Sequence, residues 1–353
     1  IWGNFTAKNE DFKHYEVSAV PSSYNVNDRM ELEDYVRQWL NDRKPEIDSA
    51  STEDKFPVIF VSSEGGGSRA GLWSLLVNGY LFDKNPEYFN THLFSMTGAS
   101  GGGVGNGIFY NTVHNLKSGS FKFTSTLGDD GFSYSASRFY NGNYLSSSLA
   151  SLMGRDLFKS ITNVFKFCDR AKLLEEEWEN RYSTIFNGSE PLNRPYISLR
   201  PKKLPNKKIS PLILFNTTHL QSGLFSIVSP VKFKKERNEL GVFKDFLEDY
   251  YVKKPDSMIK ISTAMLLNAR FPYISPVGRV KGVGQFADAG YYDNIGGATT
   301  NRLVNSFNKI LHKEYDTSFV NKIHIRHLLI ANNDKDSTGL CKVQIERDTV
   351  KYS

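Results

Sequence analysis

The stretch from Pro57 to Gly107 constrains the fold more than any other part of this chain. An apolar, β-rich run (Val58, Ile59, Phe60, Val61) empties into Gly65-Gly66-Gly67 and Arg69, then into a segment with helical spacing. A second apolar run (Leu93, Phe94, Met96) empties into Gly98-Ala99-Ser100-Gly101-Gly102 and another small-residue segment. Strand, glycine turn, helix, strand, serine turn, helix is the pattern of a parallel sheet, whose neighbouring strands need a crossover between them.

The second turn has the form G-x-S-x-G, a nucleophile elbow. Gly98 and Gly102 permit the tight backbone, Ser100 is pushed out to the substrate, and the following helix points its N–H groups at the site. A serine hydroxyl attacks only when a base takes its proton and donors catch the developing charge. Side-chain-free Gly65, Gly66 and Gly67 let a substrate oxygen approach the backbone N–H groups, forming an oxyanion hole. Arg69 either adds a charge there or pins the loop. The same run also fits a relaxed dinucleotide fingerprint, Gly65-x-Gly67-x-x-Ala70. That reading needs an acidic residue at the tip of a second strand about 20 residues on. Asp83 instead ends a helix and Glu87 sits in a turn, which disfavours nucleotide binding.

Asn27 or Asp28 caps an expected helix to Asp42, with Leu32, Tyr35, Val36, Trp39 and Leu40 on one face. Residues 43–55 read as a connecting loop, and 1–54 as an N-terminal extension with one amphipathic helix. Residues 55–353 read as a catalytic domain with a helical and loop insertion at about 117–200. Its expected elements include helices at 69–82 (Leu72, Leu75, Leu76 and Tyr80 inward), 100–116, 148–161 and 169–182. Strands follow at 211–218 and 224–230, a helix at 257–269, a strand ending at Asp288, a helix at 299–315 and a strand at 323–331. The alternation predicts α/β with a mostly parallel sheet flanked by helices.

The base for Ser100 comes from this second half. Asp288, at a strand end among small neighbours, serves either directly as a dyad partner or by orienting His312, His324 or His327 in a triad. An unperturbed aspartate, pKa about 3.9, is a weak base, so a dyad requires the site to desolvate it.

Taken together, Gly65-Gly66-Gly67-Ser68-Arg69, Gly98-Ala99-Ser100-Gly101-Gly102 and Asp288-Ala289-Gly290, in that order, resemble the patatin-like phospholipase family. The run LNARFPYISPVG before the aspartate is similar as well, and the likeness covers about 55–300. It departs from many members in having Ala289 where they carry glycine. The resemblance implies a three-layer α/β/α sandwich and a Ser100–Asp288 dyad that hydrolyses lipid acyl esters, with Gly66 and Gly67 N–H groups on the oxyanion. It implies no metal or organic cofactor. A catalytically silent lipid- or nucleotide-binding module is the alternative from another class.

Composition narrows the setting. The 353 residues carry a net charge of +6, placed in loops such as Lys202-Lys203 and Lys232–Arg237. Such runs are mostly solvated; as partners they suggest peripheral contact with an anionic membrane, and no nucleic acid is expected. Cys168 and Cys341 cannot build a disulfide framework and leave the compartment open. No apolar run approaches the ~20 residues of a membrane span. The chain starts at Ile1 without a methionine, as expected of a fragment or processed form such as a soluble domain of a membrane-associated protein.

Overall fold

A computed structural model describes residues 16–114, 131–142, 144, 170–186, 190–233, 243–271 and 275–332. In chain order the strands are β1 Ala19–Pro21, β2 Phe56–Ser63, β3 Leu93–Gly98, β4 Leu212–Ile213, β5 Phe215–His219, β6 Leu224–Val228, β7 Phe243–Asp245, β8 Ser257–Ile259, β9 Gly278–Val280, β10 Gly284–Ala287 and β11 Ile323–Ile330. The helices are α1 Leu32–Asp42, α2 Lys44–Ser49, α3 Gly67–Lys84, α4 Pro86–His92, α5 Ser100–His114, α6 Gly131–Tyr140, α7 Arg170–Ile185, α8 Phe246–Lys253, α9 Ile261–Asn268, α10 Gly297–Glu314 and α11 Thr317–Asn321.

β2 is buried on both faces, so its alternating side chains feed two cores. Val58 and Phe60 pack with Trp39 of α1, Phe94 of β3 and Phe307 of α10. Val61, with Ile59 beside it, faces Met96, Val104, Ile108 and Leu75 of the opposite layer. The result is a three-layer α/β/α sandwich around a parallel sheet ordered β11-β2-β3-β4. A second sheet, β7-β6-β5-β10-β9, is antiparallel apart from its β6–β7 pair. One segment links the two. β4 pairs parallel with β3, the chain breaks step at Leu214, and β5 then runs between β6 and β10. That step carries the strand after which Asp288 lies into the neighbourhood of Ser100.

α3 and α5 touch backbone to backbone. A Cβ on Gly101 or Gly105 would run into the carbonyl oxygen of Gly67 or Gly71 respectively. Two glycines four residues apart on each helix therefore leave the turns that begin the two helices side by side.

Several elements differ from the sequence expectation. Residues 43–55 are not all loop, because α2 forms there. Arg43 is fully buried before it, donating to the carbonyls of Thr91, Asn90 and Ile209 with its guanidinium 4.1 Å over the Trp39 ring. The expected helix at 257–269 begins as strand β8, which pairs with β1. The expected strand at 211–218 is split at Leu214. Tyr80, expected inward, is 62% exposed. The helix expected at 148–161 lies outside the described residues. Among the described residues no helix is long and apolar enough to cross a membrane.

Candidate active site

Ser100 stands at the junction of β3 and α5 with φ of 48°. That left-handed conformation costs a non-glycine residue roughly 1–2 kcal/mol and is kept only where the surroundings impose it. A Cβ on Gly98 would press on the Gly103 backbone, and one on Gly102 would meet the carbonyls of Glu64 and Ser63. Both elbow glycines are thus required by close approach, as the G-x-S-x-G pattern implies.

The glycine loop passes directly beside the serine. A Cβ on Gly65 would lie 3.2 Å from the Ser100 Cβ. Gly66 and Gly67 take φ of 147° and 63° as the chain turns into α3. The Gly65 N–H is occupied, donating to the Asn294 carbonyl at 2.8 Å. It is therefore not an oxyanion donor, and Gly65 instead provides clearance. The N–H groups of Gly66 and Gly67 make no hydrogen bond among the described residues, since the first N–H groups of a helix have no partner within it. Arg69 is exposed and donates to the Asn332 carbonyl at 3.3 Å, pinning the loop.

Asp288 follows β10 and is 2% exposed. Its Oδ1 accepts from the Gly290 N–H at 2.7 Å. Its Oδ2 is buried without a formed hydrogen bond. Burial pushes the carboxyl up to about 6, against the Gly290 N–H and the Ser100 hydroxyl, which both pull it down. A carboxylate in water is a poor base at neutral pH, and desolvation is the change that improves it.

Ser100, Asp288, Gly65, Gly66, Gly67 and Arg69 all line one cavity of about 700 Å³. Its other walls are mostly apolar: Val104 of α5, Tyr140 of α6, Leu174 and Trp178 of α7, and Phe271 and Tyr291. The last two rings stack 6.3 Å apart and are about half exposed. Asn294 and Asn332 complete the polar side. Sequence reasoning missed these asparagines, because nothing in one sequence separates a structural asparagine from a turn asparagine.

The structure does not bring the candidate histidines to this cavity; among the described residues no histidine lines it. His312 is exposed in the last turn of α10. The Nε2 of His327 is in hydrogen-bond contact with the Ser62 hydroxyl at 2.8 Å, within the sheet. The two candidate acidic partners of a nucleotide cradle do not reach this place either. Asp83 is exposed at the far end of α3, roughly 25 Å from the glycine turn at 1.5 Å per residue, and Glu87 is exposed in α4. No group of three or more His, Cys, Asp or Glu side chains suited to a metal ion occurs among the described residues.

No protein-family model and no curated protein sequence matches this chain. Among solved structures, human GIVD cytosolic phospholipase A2 is similar over 61% of this chain and 28% of its own, with 15% identity and a TM-score of 0.28. The same enzyme in complex with methyl gamma-linolenyl fluorophosphonate and terbium chloride gives 56% and 27%, with 14% identity and 0.29. VipD from Legionella pneumophila gives 79% and 52%, with 13% identity and 0.29. The chain thus spans little more than a quarter of the human enzyme and about half of VipD. At overlaps this loose the chemistry has to be read from the cavity itself.

Proposed function

We propose that this protein is a serine acyl hydrolase acting on lipid acyl esters, of phospholipase A or esterase type, through a Ser100–Asp288 dyad. The observation that carries the reading is the meeting of Ser100, a desolvated Asp288 and the unbonded Gly66 and Gly67 N–H groups in one largely apolar cavity.

Ser100 Oγ attacks the ester carbonyl carbon while Asp288 Oδ2 accepts its proton. Gly66 and Gly67 N–H groups receive the carbonyl oxygen as it becomes an oxyanion, and such a donor is worth about 3 kcal/mol in the transition state. Collapse breaks the bond to the leaving alcohol, which takes the proton back from Asp288. Water then attacks the acyl-enzyme, gives its proton to Asp288, and frees the carboxylic acid as Ser100 regains its hydrogen. The apolar walls receive the acyl chain. Phe271 and Tyr291 at the exposed edge are suited to peripheral contact with a lipid surface.

A fluorophosphonate probe should label Ser100, and Ser100→Ala and Asp288→Asn should each lower turnover of a short acyl ester by at least a thousandfold. Undiminished hydrolysis by Ser100→Ala would overturn the proposal.

A further inference from the structure

Two segments that contribute no reacting atom each bond both the serine elbow and the base of the proposed dyad. The first is the C-terminal end of α9. Asn268 Nδ2 donates to the Ser100 carbonyl at 2.7 Å, and the Asp288 N–H donates to the Arg270 carbonyl at 3.1 Å. The second is β5. Asn216 Nδ2 donates to the Gly98 carbonyl at 3.0 Å, and Thr218 Oγ1 donates to the Asp288 carbonyl at 3.0 Å. Asn216 and Asn268 are completely buried, and Thr218 nearly so.

β5 also donates from Thr217 Oγ1 to the Ala287 carbonyl at 2.7 Å, so it holds the strand end that leads into the base. Asn268 and Arg270 are two apart, as are Asn216 and Thr218, so each segment spans from the elbow to the base. Asn268 also fills the space that a Cβ on Gly103 would need. Ser100 holds a strained φ, and although its hydroxyl pulls the Asp288 carboxyl down, Oδ2 has no formed hydrogen bond. The bonds to the two peptides help to set the distance between the residues. A displacement of 1 Å in such a pair costs on the order of a hundredfold in rate.

We infer that Asn268 and Thr218 are positioning residues of the reaction, holding the Ser100 and Asp288 peptides in one frame made of α9 and β5. This rests on the dyad reading above. Asn268→Ser shortens the donor, Thr218→Val removes the hydroxyl with little change of shape, and Thr218→Ser keeps it. The rate of Ser100 labelling by a small fluorophosphonate, kcat and KM for a butyrate ester, and the melting temperature are measured for each, well below melting. Asn268→Ser and Thr218→Val should lose ten- to a hundredfold in labelling rate and kcat, with KM within twofold. Thr218→Ser should stay within threefold of wild type. Should Asn268→Ser fail to fold, the Thr218 pair decides. Lowered melting temperatures with wild-type kcat and labelling rate overturn the inference and leave the dyad standing. Absence of labelling at Ser100 in the wild type removes the dyad itself, and the inference with it.

Discussion

Asp288 is the residue at which burial and chemistry pull against each other. Its carboxyl is raised from 3.8 to about 6 by desolvation, so the folded state disfavours the charged form that the proposed reaction needs. Stability from this group is fully present below the unfolded value and is lost as pH rises through the folded one, at a cost of roughly 3 kcal/mol above pH 7. Asp288→Asn should therefore resist urea better than wild type at pH 8 and lose that advantage below pH 4. Activity of the wild type should rise through an acid limb near pH 6 rather than near 4. A limb near 4, or equal urea midpoints at pH 8, would show that the carboxyl is not desolvated. Ser100, Asp288 and the glycines were legible because turn chemistry is local: tight backbone demands glycine, and the reactive groups sit beside it. Asn216, Asn268, Asn294 and Asn332 were not, because each acts on a carbonyl or loop distant in sequence. A polar residue closing the apolar run of α9 was the one cue to Asn268.

Helix α7 supplies one wall of the cavity and is held both by its core side chains Ala171, Leu174, Trp178 and Tyr182 and by carboxylate bonds to the start of α9. Leu174 and Trp178, one turn apart, line the cavity, while Glu175 and Glu179 turn to the start of α9. Glu175 accepts from Ser262 at 3.1 Å and Thr263 at 2.6 Å; Glu179 accepts from Ser262 at 2.5 Å and Lys260 at 3.0 Å. Burial raises the Glu175 carboxyl, opposed by Thr263 and Lys260. With the helix held in this way, its apolar face can change without displacing it. Trp178→Leu should lengthen the accepted acyl chain by about two carbons. At about 0.8 kcal/mol per buried methylene, the longest esters of a p-nitrophenyl series then gain roughly tenfold in kcat/KM over butyrate. An unchanged chain-length profile would place the acyl chain elsewhere. Helix α7 was expected from its spacing, but its partner α9 was expected a turn and more too early. Ser257–Ile259 is apolar enough for either element, and only its pairing with β1 makes it a strand.

Across the whole molecule the long parallel strands were legible and the second sheet was less so. β2 and β3 are largely buried on both faces, β11 begins and ends in apolar residues, and helical spacing separates them, a pattern few other arrangements satisfy. β7, β9 and β10 have three or four residues each, too short to show a period. The layer behind β2 depends on Trp39, which is fully buried, donates to the Leu93 carbonyl at 3.3 Å and packs edge-on against Phe94 and Phe307. Trp39→Ala should cost about 3–5 kcal/mol in urea unfolding. A loss below 1 kcal/mol would mean that α1 is not integral to the core.

The step at Leu214 has a bearing on how the proposed dyad comes together. Ser100 and the glycine loop belong to strands and helices that are neighbours in both sequence and sheet. The base reaches them only after the chain has passed through β4 and β5 and returned along β10. Under the proposed dyad, a polypeptide still emerging from the ribosome would carry a serine without its proton acceptor, and the nascent protein would be disarmed until its later half had folded around the first.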